Sequence, residues 1–262
     1  MENIFLPSKI ELEKGKEPNQ GILTIEPLFH GYGTTIGNAL RRVLLSSLPG
    51  AAVTSVKIKG VPHEFSTIEG IYEDILELVL NLKQLRLKIF TEEPIVLKLV
   101  KKGVGDVLAK DISKDSNMEI VNPNLKIATI TDKNTELNLE LTVAKGFGFE
   151  PTENRDKKEL PVGSIAIDSI FTPIKDVGFK TEYTRVGQIT NYDKLTLNIE
   201  TDGTITPESA LNTAAKILID HFSLLYKEEI KETKKEDSDE SKEEKKGKKV
   251  TGVKKTIKKS KK

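Results

Sequence analysis

The segment DGTITPESALNTAAKILIDHFSLLYKEE (202–229) constrains the fold more than any other. Thr206 suits a helix N-cap, and Pro207 suits the first helical position, where a missing N–H costs nothing. Beyond them Ala210, Leu211, Ala214, Ala215, Ile217, Leu218, Ile219, Phe222, Leu224, Leu225 and Tyr226 spread over about 220° of a helix that advances roughly 100° per residue. Asn212, Thr213, Lys216, Asp220 and Ser223 share the narrow remainder. A surface helix needs only about 100° of apolar stripe. The excess must be covered, either within one chain or by a second chain. The paired alanines admit another helix closely, and self-association through one shared patch is the preferred reading in a chain of 262 residues. His221 falls in the apolar sector, so a buried, hydrogen-bonded histidine is expected there.

The rest of the folded sequence is mostly β. SKIELEK (8–14), GILTIEPL (21–28) and AAVTSVKIKG (51–60) read as strands, as do PIVLKLVK, LKIATIT and ELNLELTVAKG. In the last, Leu137, Leu139, Leu141 and Val143 share one face, the mark of a half-buried strand. After a polar loop at 149–163, IAIDSIFTPI, VGFKTEYTRVGQIT (177–190) and DKLTLNIET supply further strands. Ile71, Ile75, Leu78, Val79 and Leu82 recur at helical spacing and predict a helix over 66–85. Glu73, Asp74 and Glu77 would be its wet face. The fold class is α+β.

A third helix is predicted over 31–48, GYGTTIGNALRRVLLSSL. With Ile36 at zero, Leu40, Val43 and Leu44 fall within about 80° of it, forming an apolar stripe. Arg41, Leu45, Asn38 and Arg42 fall opposite, at roughly 140° to 240°. One reading is a solvated face with a stray leucine, which is common. The other is a protein contact, whose centre favours arginine beside an apolar anchor.

Composition excludes several classes. The chain has no cysteine, which rules out disulfides and thiolate metal sites and suits a reducing cytosol. No signal peptide is visible, and no run approaches the ~18 apolar residues of a membrane helix; a cytoplasmic protein is expected. The net charge of +1 conceals an asymmetry: residues 245–262 carry +10, residues 227–244 carry −4, and the remaining 226 residues carry −5. An acidic body is a poor nucleic-acid grip. From about Lys231 the Lys/Glu/Ser composition cannot bury enough surface to fold alone. The three histidines, His30, His63 and His221, lie in no metal-binding spacing, and no phosphate-binding loop, nucleophile elbow or aspartate cluster is present. KGFGFEP (145–151) imitates an aromatic RNA-stacking motif over five positions, but Glu150 and Pro151 break it. An RNA-binding module built on that segment is the alternative function. For a stand-alone enzyme no residue constellation speaks.

Several motifs together resemble a known family. LTIEPLFHGYGTTIGNALRRVLLSSLPG and its continuation to NLKQL (23–85), TRVGQ followed by YDKL, and TDGTITPESAL closely resemble the N-terminal domain of the bacterial RNA polymerase alpha subunit. The resemblance covers about residues 1–226. It implies a discontinuous dimerisation subdomain, residues 1–50 and 171–228, holding an antiparallel sheet and two long helices. A mainly β subdomain, 51–170, would be inserted in it, and 229–262 would be a disordered tail. The implied dimer interface comprises Ile36, Leu40, Val43 and Leu44 with Leu211, Ala214, Ala215, Leu218 and Phe222.

By the same resemblance Arg41, Arg42 and Leu45 face the large beta subunit, Arg42 foremost. Arg185, Gln188 and Asp193, with Lys83, fall in regions implicated in contacts with beta′ or another subunit. The chain would be a homodimeric scaffold without chemistry of its own, needing no cofactor. The catalytic magnesium of the nucleotidyltransferase would lie on a partner subunit. The DNA-reading C-terminal domain of most members has no counterpart in the lysine-rich end. Those ten lysines would attract DNA by charge alone, or merely solubilise the chain.

Overall fold

The structure, a computed structural model, describes residues 4–155 and 163–226. The chain opens with a hairpin, β1 (Lys9–Lys14) and β2 (Gln20–Leu28), then helix α1 (Tyr32–Ser46) and strand β3 (Pro49–Ile58). Helix α2 (Ile75–Lys83) precedes β4 (Leu87–Ile89), β5 (Ile95–Lys102), β6 (Gly105–Leu108), β7 (Met118–Ile120), β8 (Lys126–Ile130) and β9 (Glu136–Phe147). Short strands β10 (Phe149–Glu150), β11 (Ser164–Ala166) and β12 (Ser169–Ile170) lead to a long hairpin, β13 (Ile174–Val186) and β14 (Ile189–Thr201). Helix α3 occupies 207–226 of the described residues, and Thr206 Oγ1 accepts from the Ser209 N–H at 3.2 Å, the expected N-cap.

Both ends of the described chain build one antiparallel sheet, in the order β1-β2-β14-β13. Leu23 lies opposite Leu197 in register, and Leu195, Leu197 and Ile199 alternate inward on β14, each at most 1 % exposed. The intervening chain makes its own six-stranded sheet, β5-β9-β3-β4-β7 with β11 beside β3, and two short hairpins, β6-β8 and β10-β12. One hydrophobic core is drawn entirely from residues between Val53 and Ile167, including the predicted β9 stripe Leu137, Leu139, Leu141 and Val143. The chain forms two compact units, the first ending at Ala214 and the second beginning at Ala215, within α3. The tail expected over 229–262, and part of the loop expected at 149–163, lie outside the described residues.

Two predicted elements are corrected. The helix expected over 66–85 is only α2, Ile75–Lys83. Asp74 caps it, accepting from the Glu77 N–H at 2.7 Å, and Gly70 at φ 81° breaks any earlier helical path. Ile71 is helical in spacing but bridges Ile130 on β8. Glu73 is not on a wet face: it is 4 % exposed and takes the backbone N–H and hydroxyl of Thr129. The single strand expected over 177–190 is instead most of one strand, a turn and the start of the next, because Gly187 at φ 61° reverses the chain.

Candidate assembly surface

Helix α1 starts at a glycine, Gly31, in left-handed backbone (φ 84°). Glycine offers no side chain for the unpaired N–H groups of the first turn. A distant carboxylate does so instead. Oδ2 of Asp193, on β14, accepts from the Gly31 N–H at 2.9 Å and the Gly33 N–H at 3.1 Å. Its charge also suits the positive end of the helix. Two further glycines let the helix sit low on the sheet. A Cβ at Gly33 would lie 2.7 Å from the Thr181 methyl, and one at Gly37 would lie 2.7 Å from the Phe179 ring. Near the other end, Arg41 Nε donates to the Val177 carbonyl at 3.0 Å.

These contacts fix which face is free. Gly33, Gly37, Leu40 and Leu44 are buried, within about 60° of one another. Thr35, Asn38, Arg42 and Ser46 are exposed in one stripe opposite. The Arg42 guanidinium has no hydrogen-bond or ion-pair partner among the described residues. Leu45 is half-buried beside it. Both arginines are exposed, but they differ in anchoring: Arg41 ties the helix to β13, while Arg42 stands outward without such a tie.

The expected dimer set divides as well. Leu40 (7 % exposed), Leu44 (0 %) and Ala214 (0 %) are enclosed by their own chain, so they offer little surface to a second one. The apolar arc of α1 is wider than the sheet can cover, and Ile36 and Val43 at its margin stay half-buried, as does Leu211. In the second unit Ala215 and Leu218 are half-buried, while Ile219, Phe222, Leu224, Leu225 and Tyr226 are each more than 60 % exposed. His221 is exposed, not buried, with Nδ1 2.8 Å from the Ile217 carbonyl; among the described residues nothing covers its sector.

The four residues expected at other subunits do not form one patch. Asp193 is 3 % exposed and faces α1, so its carboxylate is a cap and not a contact group. Arg185 and Gln188 are exposed at the β13–β14 turn, where Arg185 Nε donates to the Gly187 carbonyl at 2.7 Å. Tyr183 and Ile189 beside them are 79 % and 50 % exposed. Lys83 ends α2 and pairs with Asp168 at 2.9 Å. The Thr152 N–H and then Lys83 hold the Asp168 carboxyl below the usual carboxylate range. This pair lines an open cleft of about 810 Å³ with His63, Leu76, Val79 and Ile165.

Among the described residues no three carboxylate or histidine side chains gather as metal ligands would, and no helix is long and apolar enough to cross a membrane. Sequence reasoning missed Gly33, Gly37 and the capping role of Asp193. The four-residue spacing of the two glycines in GYGTTIG was the available signal for a helix face pressed against backbone or ring. Nothing in the sequence links Gly31 to a carboxylate 162 residues away.

Residues 56–172 match the family model described as RNA polymerase Rpb3/RpoA insert domain. The chain is 50 % identical over 224 residues to the DNA-directed RNA polymerase subunit alpha of Alkaliphilus oremlandii, covering 82 % of this chain and 70 % of that protein. It is 53 % identical over 217 residues to the protein of the same name from Symbiobacterium thermophilum, covering 82 % and 69 %. Against that of Clostridium beijerinckii it is 54 % identical over 214 residues, covering 81 % and 67 %. Identity at this level, across both the sheet built from the chain ends and the segment inserted in it, places the chain in the DNA-directed RNA polymerase alpha-subunit family.

Proposed function

We propose that this alpha subunit works in the cytoplasm as a homodimeric scaffold on which the beta and beta′ subunits gather, and that the chemistry of RNA synthesis, with its magnesium, belongs to those partners. The observation that carries the reading is the pose of α1. Its inner face is consumed by the chain's own sheet, which leaves Arg42, with Leu45 beside it, outward and unpaired among the described residues. Unpaired arginine next to apolar surface is the composition of an interaction hot spot. The dimer is supported separately by the exposed apolar side chains of the 215–226 part of α3 and by the half-buried margin of α1. The exposed β13–β14 turn, with Arg185 and Gln188, is the proposed beta′ contact; Lys83 is a second candidate there, and Asp193 is withdrawn from the set.

The test pairs two measurements. Light scattering after size exclusion should give twice the chain mass at micromolar concentration. Arg42→Ala should leave that mass unchanged while lowering co-purification of beta by about tenfold or more, the loss of one hot-spot side chain. A monomeric Arg42→Ala protein would show that this arginine belongs to the twofold contact and would overturn the assignment of faces.

A further inference from the structure

The KGFGF segment is not absorbed by the fold, and its position gives it a use. Phe147 and Phe149 are 65 % and 60 % exposed, although the backbone beneath them is firmly built. A Cβ at Gly146 would strike the ring of Phe171 at 2.7 Å, and Phe171 is itself 4 % exposed. The Gly148 carbonyl accepts two backbone bonds, from Phe171 N–H at 2.9 Å and Thr172 N–H at 3.2 Å. Gly148 stands at φ 61°, and a Cβ there would lie 3.4 Å from the carbonyl oxygen of Ser46, the last residue of α1. Phe147 pairs with Pro49, three residues past that helix end. Ser46 lies one turn beyond Arg42 on the same face, and its hydroxyl donates to the Arg42 carbonyl. The C-terminal end of the exposed stripe Thr35, Asn38, Arg42, Ser46 therefore abuts the Gly148 backbone that joins Phe147 to Phe149, in the inserted part of the chain.

We infer that Phe147 and Phe149 are a rigid aromatic extension of the Arg42 stripe, and that together they dock one segment of the large beta subunit bearing an apolar side chain and a carboxylate. The inference rests on the proposed role of Arg42. Charge selects a protein segment over RNA. Stacking on single-stranded nucleic acid needs cations free to meet phosphate. Here both cations of the 145–155 segment are paired, Lys145 with Glu92 at 2.7 Å and Arg155 with Glu150 at 2.9 Å. Arg42 remains unpaired among the described residues, one cation for one carboxylate. Arginine flanked by aromatic side chains on a preorganised backbone is the make-up of a contact centre.

The variant Phe147→Ser/Phe149→Ser removes two exposed rings and should leave the fold intact. Full-length protein is assayed by melting temperature, by mass in solution, by capture of purified beta subunit, and by mobility shift with a single-stranded RNA 20-mer. Arg42→Ala and a second exposed aromatic pair, Phe65→Ser/Tyr72→Ser, run alongside. The expected result is an unchanged melting temperature and mass, beta capture reduced at least about tenfold, no effect of the Phe65/Tyr72 control, and no RNA shift in any protein. Undiminished capture with Arg42→Ala defective overturns the aromatic extension and leaves the proposed function standing. Undiminished capture in both overturns that function too. An RNA shift by the parent protein that the double variant abolishes, or a loss of dimer mass, assigns the ridge to RNA or to the second copy and overturns the inference.

Discussion

Replacing Asp193 with alanine tests the most specific contact in the fold. Its Oδ2 takes the Gly31 and Gly33 N–H groups at 2.9 and 3.1 Å. The Gly33 N–H is buried, so losing its acceptor leaves a desolvated donor, costing about 1–3 kcal/mol. Gly31 is exposed, and its N–H can turn to water at little net cost. The carboxylate's interaction with the helix dipole adds about 0.3–1 kcal/mol and overlaps with the first contribution. The sum is about 2–3 kcal/mol, a large part of the ~5–15 kcal/mol that holds a typical domain. At a slope of ~2–3 kcal/mol per molar, the urea midpoint should fall by about 1 M. Asp193→Asn keeps an acceptor but no charge, and should lose only about 1 kcal/mol. Unfolding is followed by circular dichroism at fixed chain concentration, since association shifts the apparent midpoint. Hydrogen exchange at residues 32–36 should accelerate in the alanine variant before global unfolding does. An alanine variant within about 0.5 kcal/mol of the parent, or an asparagine variant as weak as alanine, refutes the reasoning.

Gly37→Val places side-chain atoms where a Cβ alone already meets Phe179 and Leu195. It should cost about 1–3 kcal/mol by overpacking, read from the urea midpoint, while Gly60→Ala, where open space surrounds the Cβ, tests only the left-handed backbone. Burial pushes the Glu73 carboxyl up, but the Thr129 backbone N–H and hydroxyl, its own N–H and Lys126 together hold it below the usual carboxylate range. A lowered folded pKa means that its stabilisation is present above the unfolded carboxylate value and is lost as pH falls through the folded one. Glu73→Gln should therefore narrow the stability difference between pH 7 and pH 3 relative to the parent, measured as urea midpoints. Deleting residues 231–262 should reduce retention of DNA by the polymerase at low salt and flatten its salt slope, by roughly 0.9 for each phosphate no longer neutralised; equal slopes would reduce the tail to a solubilising segment.

The periodic signals were legible wherever one chain settles both sides of an element. Leu137, Leu139, Leu141 and Val143 alternate, and the structure buries all four. The Thr206–Pro207 start of α3 is present as read. Residues 66–74 mislead because apolar spacing of three and four also arises in an irregular segment that packs Ile68 and Ile71 beneath a sheet. Hydropathy alone draws the arc of α1 too broadly. Glycine carries no hydropathy signal, so the closest approach of helix to sheet, at Gly33 and Gly37, is invisible to it. Without those glycines the stripe centres on Ile36 instead of between Leu40 and Gly37. Asp193 is unreadable for a different reason: a carboxylate on a strand announces water, and only tertiary proximity turns it inward.

The sheet that seats α1 has a consequence for the order in which the polypeptide leaves the ribosome. Its strands β1 and β2 emerge first, but β13 and β14 follow only after residue 173. Meanwhile the hydrophobic cluster between Val53 and Ile167 has all its members and can condense alone. A nascent chain that stops before β14 therefore holds α1 without the Asp193 carboxylate to dock it, and one that stops before β13 lacks the Val177 carbonyl as well. The docked pose of α1, with Arg42 turned outward, is therefore complete only when synthesis of the folded part is nearly done.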